Sequence, residues 1–196
     1  MEKNIFWKDS GVSLNDRSKI FGHKSLCLWL TGLSGAGKTT IAHELEKLFY
    51  EKKILSYILD GDNVRHGLNK DLSFDIADRK ENIRRVAEVS KIMVDAGFIA
   101  IVSFISPFEE DRNLARSLFK NHQFIEVFID TSLDECERRD PKGLYVQARL
   151  GKIKNFTGID SKYESPKNPE VHIKTNLTSS VESAQQIFNA IKNFIL

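Results

Sequence analysis

Short apolar runs alternate along the chain with longer segments whose apolar residues recur every three or four positions, the signature of helices covering a parallel sheet. The run at residues 26–31 predicts a first strand, and a helix follows from about Thr39 with Ile41, Leu45 and Leu48 on its buried face. A second strand is predicted at 54–59. A longer helix is predicted at about 79–96, with Ile83, Val86, Ala87, Ser90, Met93 and Val94 turned inward and Gly97 ending it. Runs at 99–104, 123–129 and 171–174 complete a set of five strands. Ser179 and Glu182 fit a capping box for a last helix striped with Val181, Ala184, Phe188, Ile191 and Ile195.

Two segments break this rhythm. Between about 138 and 169 the pattern dissolves into Lys, Arg, Gly and Pro, too long for a plain connection in a compact domain, and a mobile lid is expected there. The stretch before residue 26 lacks periodicity, and residues 10–19 are polar enough for an arm (residues 1–23) lying on the surface or on a partner subunit.

Composition narrows the setting. With 196 residues and 41% hydrophobic content, one domain with a real core is expected over 1–196. A net charge of +2, from 29 basic and 27 acidic residues, leaves no bulk field for nucleic acid, so an anionic partner must meet a local cluster. Cys27 and Cys136 fit neither a metal-ligand spacing nor a disulfide framework, which suits a reducing, cytoplasmic setting. The polar amino terminus and the lack of an apolar run near 18 residues predict a chain that is neither exported nor membrane-bound.

The strongest chemical signal lies between the first strand and its helix. Gly32, Leu33, Ser34, Gly35, Ala36, Gly37, Lys38 and Thr39 satisfy G-x-x-x-x-G-K-[ST], and Thr40 follows them. Glycines let successive backbone N–H groups turn inward, the helix N-terminus adds positive potential, and phosphate oxygens fill the nest. Lys38 is placed to reach the β and γ phosphates of ATP, and Thr39 to offer its hydroxyl to Mg²⁺. The expected architecture is a three-layer α/β P-loop NTPase fold, with helices flanking a mostly parallel five-stranded sheet.

Asp60-Gly61-Asp62 ends the second strand on the carboxyl edge of the sheet, beside that loop. An acid there is suited to holding a magnesium-bound water or accepting the proton of an attacking hydroxyl. Asp62 is preferred, because Asp60 follows the strand closely and is suited to bracing the turn. Arg79 and Asn82 share a helix face, so Arg65 and Arg79 are candidate clamps on an anionic acceptor, whereas Arg84 and Arg85 suit surface pairing.

Residues 60–74 (DGDNVRHGLNKDLSF) and 78–85 (DRKENIRR) resemble the acceptor-binding stretch of adenylyl-sulfate kinases. The blocks FISP at 104–107, DPKGLY at 140–145 and FTGID at 156–160 extend the resemblance across most of the chain. It implies transfer of the ATP γ-phosphoryl group to the 3′-hydroxyl of adenosine 5′-phosphosulfate by a homodimer. It also implies that Phe74 and Phe156 grip the acceptor's adenine, the latter from a closing lid, as aromatic faces stack on any base. Arg65, Arg79 and Asn82 are implied at the phosphosulfate and ribose, Ile105, Ser106, Lys142 and Leu144 along the pocket, and Ser106 as a phosphoserine intermediate.

Two departures stand out. Phe108-Glu109 replaces the family's usual Tyr-Arg after Ser106-Pro107, and Ser161-Lys162-Tyr163-Glu164-Ser165-Pro166 keeps the Tyr-Glu but loses prolines, implying a looser lid. The alternatives left open are another small-molecule kinase of this architecture, since a phosphate loop does not choose the acceptor, and a nucleotide-sensing module.

Overall fold

Five strands, β1 (Cys27–Thr31), β2 (Ser56–Asp60), β3 (Ile99–Ser103), β4 (Phe124–Asp130) and β5 (Val171–Lys174), hydrogen-bond in the order β2-β3-β1-β4-β5. Every pairing is parallel, so the sheet is wholly rather than mostly parallel. The computed structural model describes residues 6, 8, 10–120 and 122–196; residues 1–5, 7 and 9 of the expected arm lie outside the described residues.

Side chains alternate across a strand, so β1 feeds two cores. Leu28 and Leu30 join Ile41, Leu45 and Phe49 of α2 (Lys38–Glu51) and Ile187 and Ile191 of α8 (Ser180–Ile195). Cys27 and Trp29 join Ile83 and Val86 of α4 (Ile76–Asp95) and Ala115 of α5 (Glu109–Ser117) on the other face. All five β1 residues are buried, as a strand covered on both faces requires. Each large apolar side chain taken from water contributes about 1.5–3 kcal/mol, which makes β1 the spine of a three-layer structure.

Helix boundaries follow their caps. Asp75 accepts the Asp78 amide at 2.9 Å, so α4 opens at Ile76, ahead of the start its apolar stripe suggested. Ser179 and Glu182 form the expected capping box of α8. Part of the arm is helical: α1 (Leu14–Phe21) is closed by a Ser13/Asp16 capping box and a left-handed Gly22. It buries none of its residues fully, yet its Phe21 packs over Gly97, where a Cβ would fall 2.5 Å from the ring. The end of α1 therefore touches its own chain through Phe21.

Because the sheet is parallel, Thr31, Asp60, Ser103 and Asp130 all end strands at one edge. From that edge spring residues 32–37, the short helix α3 (Gly61–His66), residues 104–108, and α6 (Leu133–Arg139) with α7 (Leu144–Arg149) beyond it. Ligands of open α/β sheets bind at this edge.

Candidate active site

The loop of residues 32–37 is shaped by contacts that only glycine permits. A Cβ on Gly32 would fall 2.5 Å from the carbonyl oxygen of Ile129, and Gly37 caps α2 at φ 104°, left-handed backbone that costs any other residue strain. Two of the loop's carbonyls are held from outside: Tyr145 Oη donates to Ser34 at 2.9 Å and Thr131 Oγ1 to Ala36 at 3.0 Å. Lys38, the first residue of α2, is buried and donates from Nζ to the carbonyls of Gly32 (3.0 Å) and Leu33 (2.7 Å). Burial lowers its ammonium to about 8. A buried cation hydrogen-bonded to two carbonyls, with Asp60 and Asp62 near enough to favour its charge, at the amide-rich mouth of a helix, is a seat for phosphate.

Thr39 Oγ1 donates to Asp60 Oδ2 at 2.8 Å and lies 3.3 Å from Ser103 Oγ. Asp60 Oδ1 accepts the Asp62 amide at 3.0 Å, which caps α3. The acid beside Thr39 is thus Asp60; Asp62 is exposed and pairs with Lys142. Hydroxyl and carboxylate oxygens here are the hard donors that Mg²⁺ accepts in small number, keeping its waters. Thr40 lies exposed on α2.

The acceptor-side residues form a second cluster. Arg65 donates to the carbonyls of Leu72 (3.1 Å) and Ser73 (3.0 Å), and its guanidinium lies 4.2 Å from the centre of the Phe74 ring. Arg79 donates to Phe74 O at 2.8 Å, Asn155 O at 2.5 Å and Thr157 Oγ1 at 3.2 Å, joining α4 to the expected lid. Burial pulls both guanidinium groups below their ordinary range. Asn82 is buried, and its Oδ1 accepts from Asn69 Nδ2 at 2.8 Å. Arg84 and Arg85 pair with Glu81, and Arg85 also with Asp71, as surface residues do.

Three other expected site residues, Phe156, Leu144 and Ser106, lie partly or wholly inside the fold. Phe74 is 65% exposed, but Phe156 is 8% exposed and packs edge-on against Tyr145 at 4.9 Å, inside the core rather than opposite Phe74. Leu144 opens α7 partly buried against that core. Ser106 is 2% exposed, and its Oγ accepts from Trp29 Nε1 at 3.0 Å. A nucleophile's role would require this enclosed hydroxyl to become accessible to the transferred group. Ile105 offers its carbonyl to Thr31 Oγ1 at 2.7 Å. Glu109, in place of the family's arginine, turns to Lys167 at 3.0 Å. Arg138 and Arg139 pair with Glu135, Arg139 reaching 3.5 Å from the Ala36 carbonyl, and Arg149 pairs with Glu137.

Sequence reasoning gave Asn69, Tyr145 and Arg112 no role in the site. Tyr145 and Asn69 stood inside blocks already singled out; Arg112 carried no local signal.

A glycine loop feeding a buried lysine into the first turn of a helix, at the carboxyl edge of a parallel sheet, makes this chain a nucleotide-binding P-loop kinase in class. The family is narrower. The family model for adenylylsulphate kinase matches residues 24–174, and the chain belongs to that family. It is 52% identical to the probable adenylyl-sulfate kinase of Bacillus subtilis, and 54% to the adenylyl-sulfate kinase of Staphylococcus haemolyticus, each over 97% of this chain and 96% of the other. The fold superimposes with a TM-score of 0.82 and 48% identity on the Mycobacterium tuberculosis APS kinase CysC, solved in complex with AMPPNP and APS, covering 86% of this chain and 98% of that one.

Proposed function

We propose that the chain is an adenylyl-sulfate kinase that moves the γ-phosphoryl group of ATP onto the 3′-hydroxyl of adenosine 5′-phosphosulfate, giving 3′-phosphoadenylyl sulfate and ADP. The observation that carries this reading is the pairing of the two clusters on one sheet edge: the phosphate seat around Lys38, and the Arg65, Phe74 and Arg79 group beyond Asp62. Phosphoryl transfer asks the protein for positioning and charge stabilisation above all.

ATP phosphates occupy the loop of Gly32, Leu33, Ser34, Gly35, Ala36, Gly37, Lys38, Thr39 and Thr40. Lys38 exchanges its loop carbonyls for phosphate oxygens. Thr39 and Asp62 would hold Mg²⁺, directly or through water, with Asp60 steadying Thr39; when bound, the ion would supply charge neutralisation to the transfer. Asp62 orients or deprotonates the 3′-hydroxyl, and Lys142, its present partner, moves to the acceptor's anionic end. Arg65, Arg79 and Asn82 bind the phosphosulfate and ribose, with Ile105, Ser106 and Leu144 along the pocket wall. For Phe156 to stack opposite Phe74, residues 138–169 must move as a lid, breaking the Arg79 bonds to Asn155 and Thr157. The same reading takes the molecule as a cytoplasmic homodimer. Among the described residues no helix is long and apolar enough to cross a membrane.

The test is acceptor-dependent ADP release from Mg-ATP, with adenosine 5′-phosphosulfate against AMP and other alcohol acceptors. Release confined to the phosphosulfate supports the reading. Release with another acceptor alone makes the chain a different small-molecule kinase.

A further inference from the structure

Arg112 is charged, yet only 2% exposed. A buried guanidinium is tolerated only when its fork is fully used. Nε donates to Glu126 Oε1 at 2.7 Å, Nη1 to the Ser106 carbonyl at 2.8 Å, and Nη2 to the Glu164 carbonyl at 2.7 Å. The ion pair with β4 answers the charge, and the remaining donors go to two backbone segments that flank the site.

Both segments need holding. Ser106 adopts φ 39°, left-handed backbone immediately before a proline, which side-chain-bearing residues avoid. It is fixed from two sides, its hydroxyl by Trp29 and its carbonyl by Arg112. Opposite runs the strap of residues 161–164. The Glu164 amide donates to Pro107 O at 2.8 Å, Glu164 Oε2 accepts the Glu109 amide at 2.8 Å, and Tyr163 Oη lies 3.0 Å from Thr31 Oγ1. Between residues 158–164 and Leu33 of the phosphate loop opens a cavity of about 500 Å³.

We infer that Arg112 is a positioning residue for the phosphoryl acceptor: its buried fork fixes the Ser106 turn and the 161–164 strap relative to each other, and so sets the wall of the groove beside the phosphate loop. Arg112 touches no substrate. That this groove takes the acceptor, and which acceptor it takes, rest on the function proposed above.

The experiment compares Arg112→Lys with Glu126→Gln in the full chain. Lysine keeps the charge facing Glu126 but cannot reach both carbonyls, so the acceptor KM is expected to rise about tenfold or more, the value of one charge-assisted hydrogen bond, while the ATP KM stays within about twofold. Hydrogen exchange at residues 161–164 is expected to quicken in the same variant. Glu126→Gln leaves both carbonyl bonds in place and is expected to lower the melting temperature without either change. An unaltered acceptor KM with unaltered exchange in Arg112→Lys, or losses in both variants that simply track stability, overturns the inference. If Arg112→Lys does not fold, Tyr163→Phe loosens the strap at its neighbouring contact with Thr31, and an unchanged acceptor KM there overturns it equally. If the wild type shows no turnover with adenosine 5′-phosphosulfate, the functional reading falls, and the exchange comparison still decides the role of Arg112.

Discussion

The Thr39 hydroxyl donates a 2.8 Å hydrogen bond to Oδ2 of Asp60, whose other oxygen accepts the Asp62 amide at 3.0 Å. One carboxylate thereby ties the first turn of α2 to the first turn of α3. Asp62, two residues on, is exposed and paired with Lys142. The two acids are expected to separate by mutation. Asp62→Asn leaves nucleotide affinity nearly intact while turnover falls by about two orders of magnitude, the range of lost acid–base help. Asp60→Ala instead costs about 1 kcal/mol as a lost cap and weakens nucleotide binding through Thr39. Calorimetric titration with an ATP analogue and steady-state rates check both, and an Asp62→Asn protein with full turnover removes that residue from the chemistry.

Ser106 gives a second prediction. With its hydroxyl buried against Trp29, a covalent phosphoserine step is not what the geometry favours. Ser106→Ala should retain turnover within about tenfold of wild type and lose stability of about 1–3 kcal/mol, the cost of a buried indole N–H left unpaired. Abolished turnover in a folded Ser106→Ala protein would restore the covalent role.

A third prediction concerns pH. Burial lowers the Lys38 ammonium to about 8, and the polyanionic triphosphate binds its protonated form. Affinity for an ATP analogue should therefore hold below that pH and fall as pH rises through it, by at most about tenfold per unit. Between about pH 8 and the higher value Lys38 takes in the complex, binding should also take up a proton. Calorimetry in buffers of different ionisation enthalpy measures that uptake, and Lys38→Arg should abolish it.

Much of the scaffold could be read from one sequence because its determinants are local. The continuous apolar runs at β1 and β3 mark strands covered on both faces, and the stripe of α2 and the Ser179/Glu182 box of α8 are helix signals complete within a few residues. The phosphate loop was legible for the same reason. Other helices gave no such signal. The α1 helix buries no residue fully, so its Ser13/Asp16 cap had no apolar stripe to announce it. With six, seven and six residues, α3, α6 and α7 are too short to repeat a pattern. Through-space facts were out of reach: the contact of Thr39 with Asp60, the burial of Phe156 against Tyr145, and above all Arg112, whose partners stand 14, 6 and 52 positions away.

The most direct measurement follows the phosphoryl group itself, using ATP labelled at the γ-phosphorus, adenosine 5′-phosphosulfate as acceptor, and a Lys38→Ala protein alongside. Label carried onto the acceptor's 3′-oxygen, released by a 3′-nucleotidase and missing with Lys38→Ala, is the expected result. Label that appears only as inorganic phosphate, or stays on ATP although the nucleotide binds, contradicts the account.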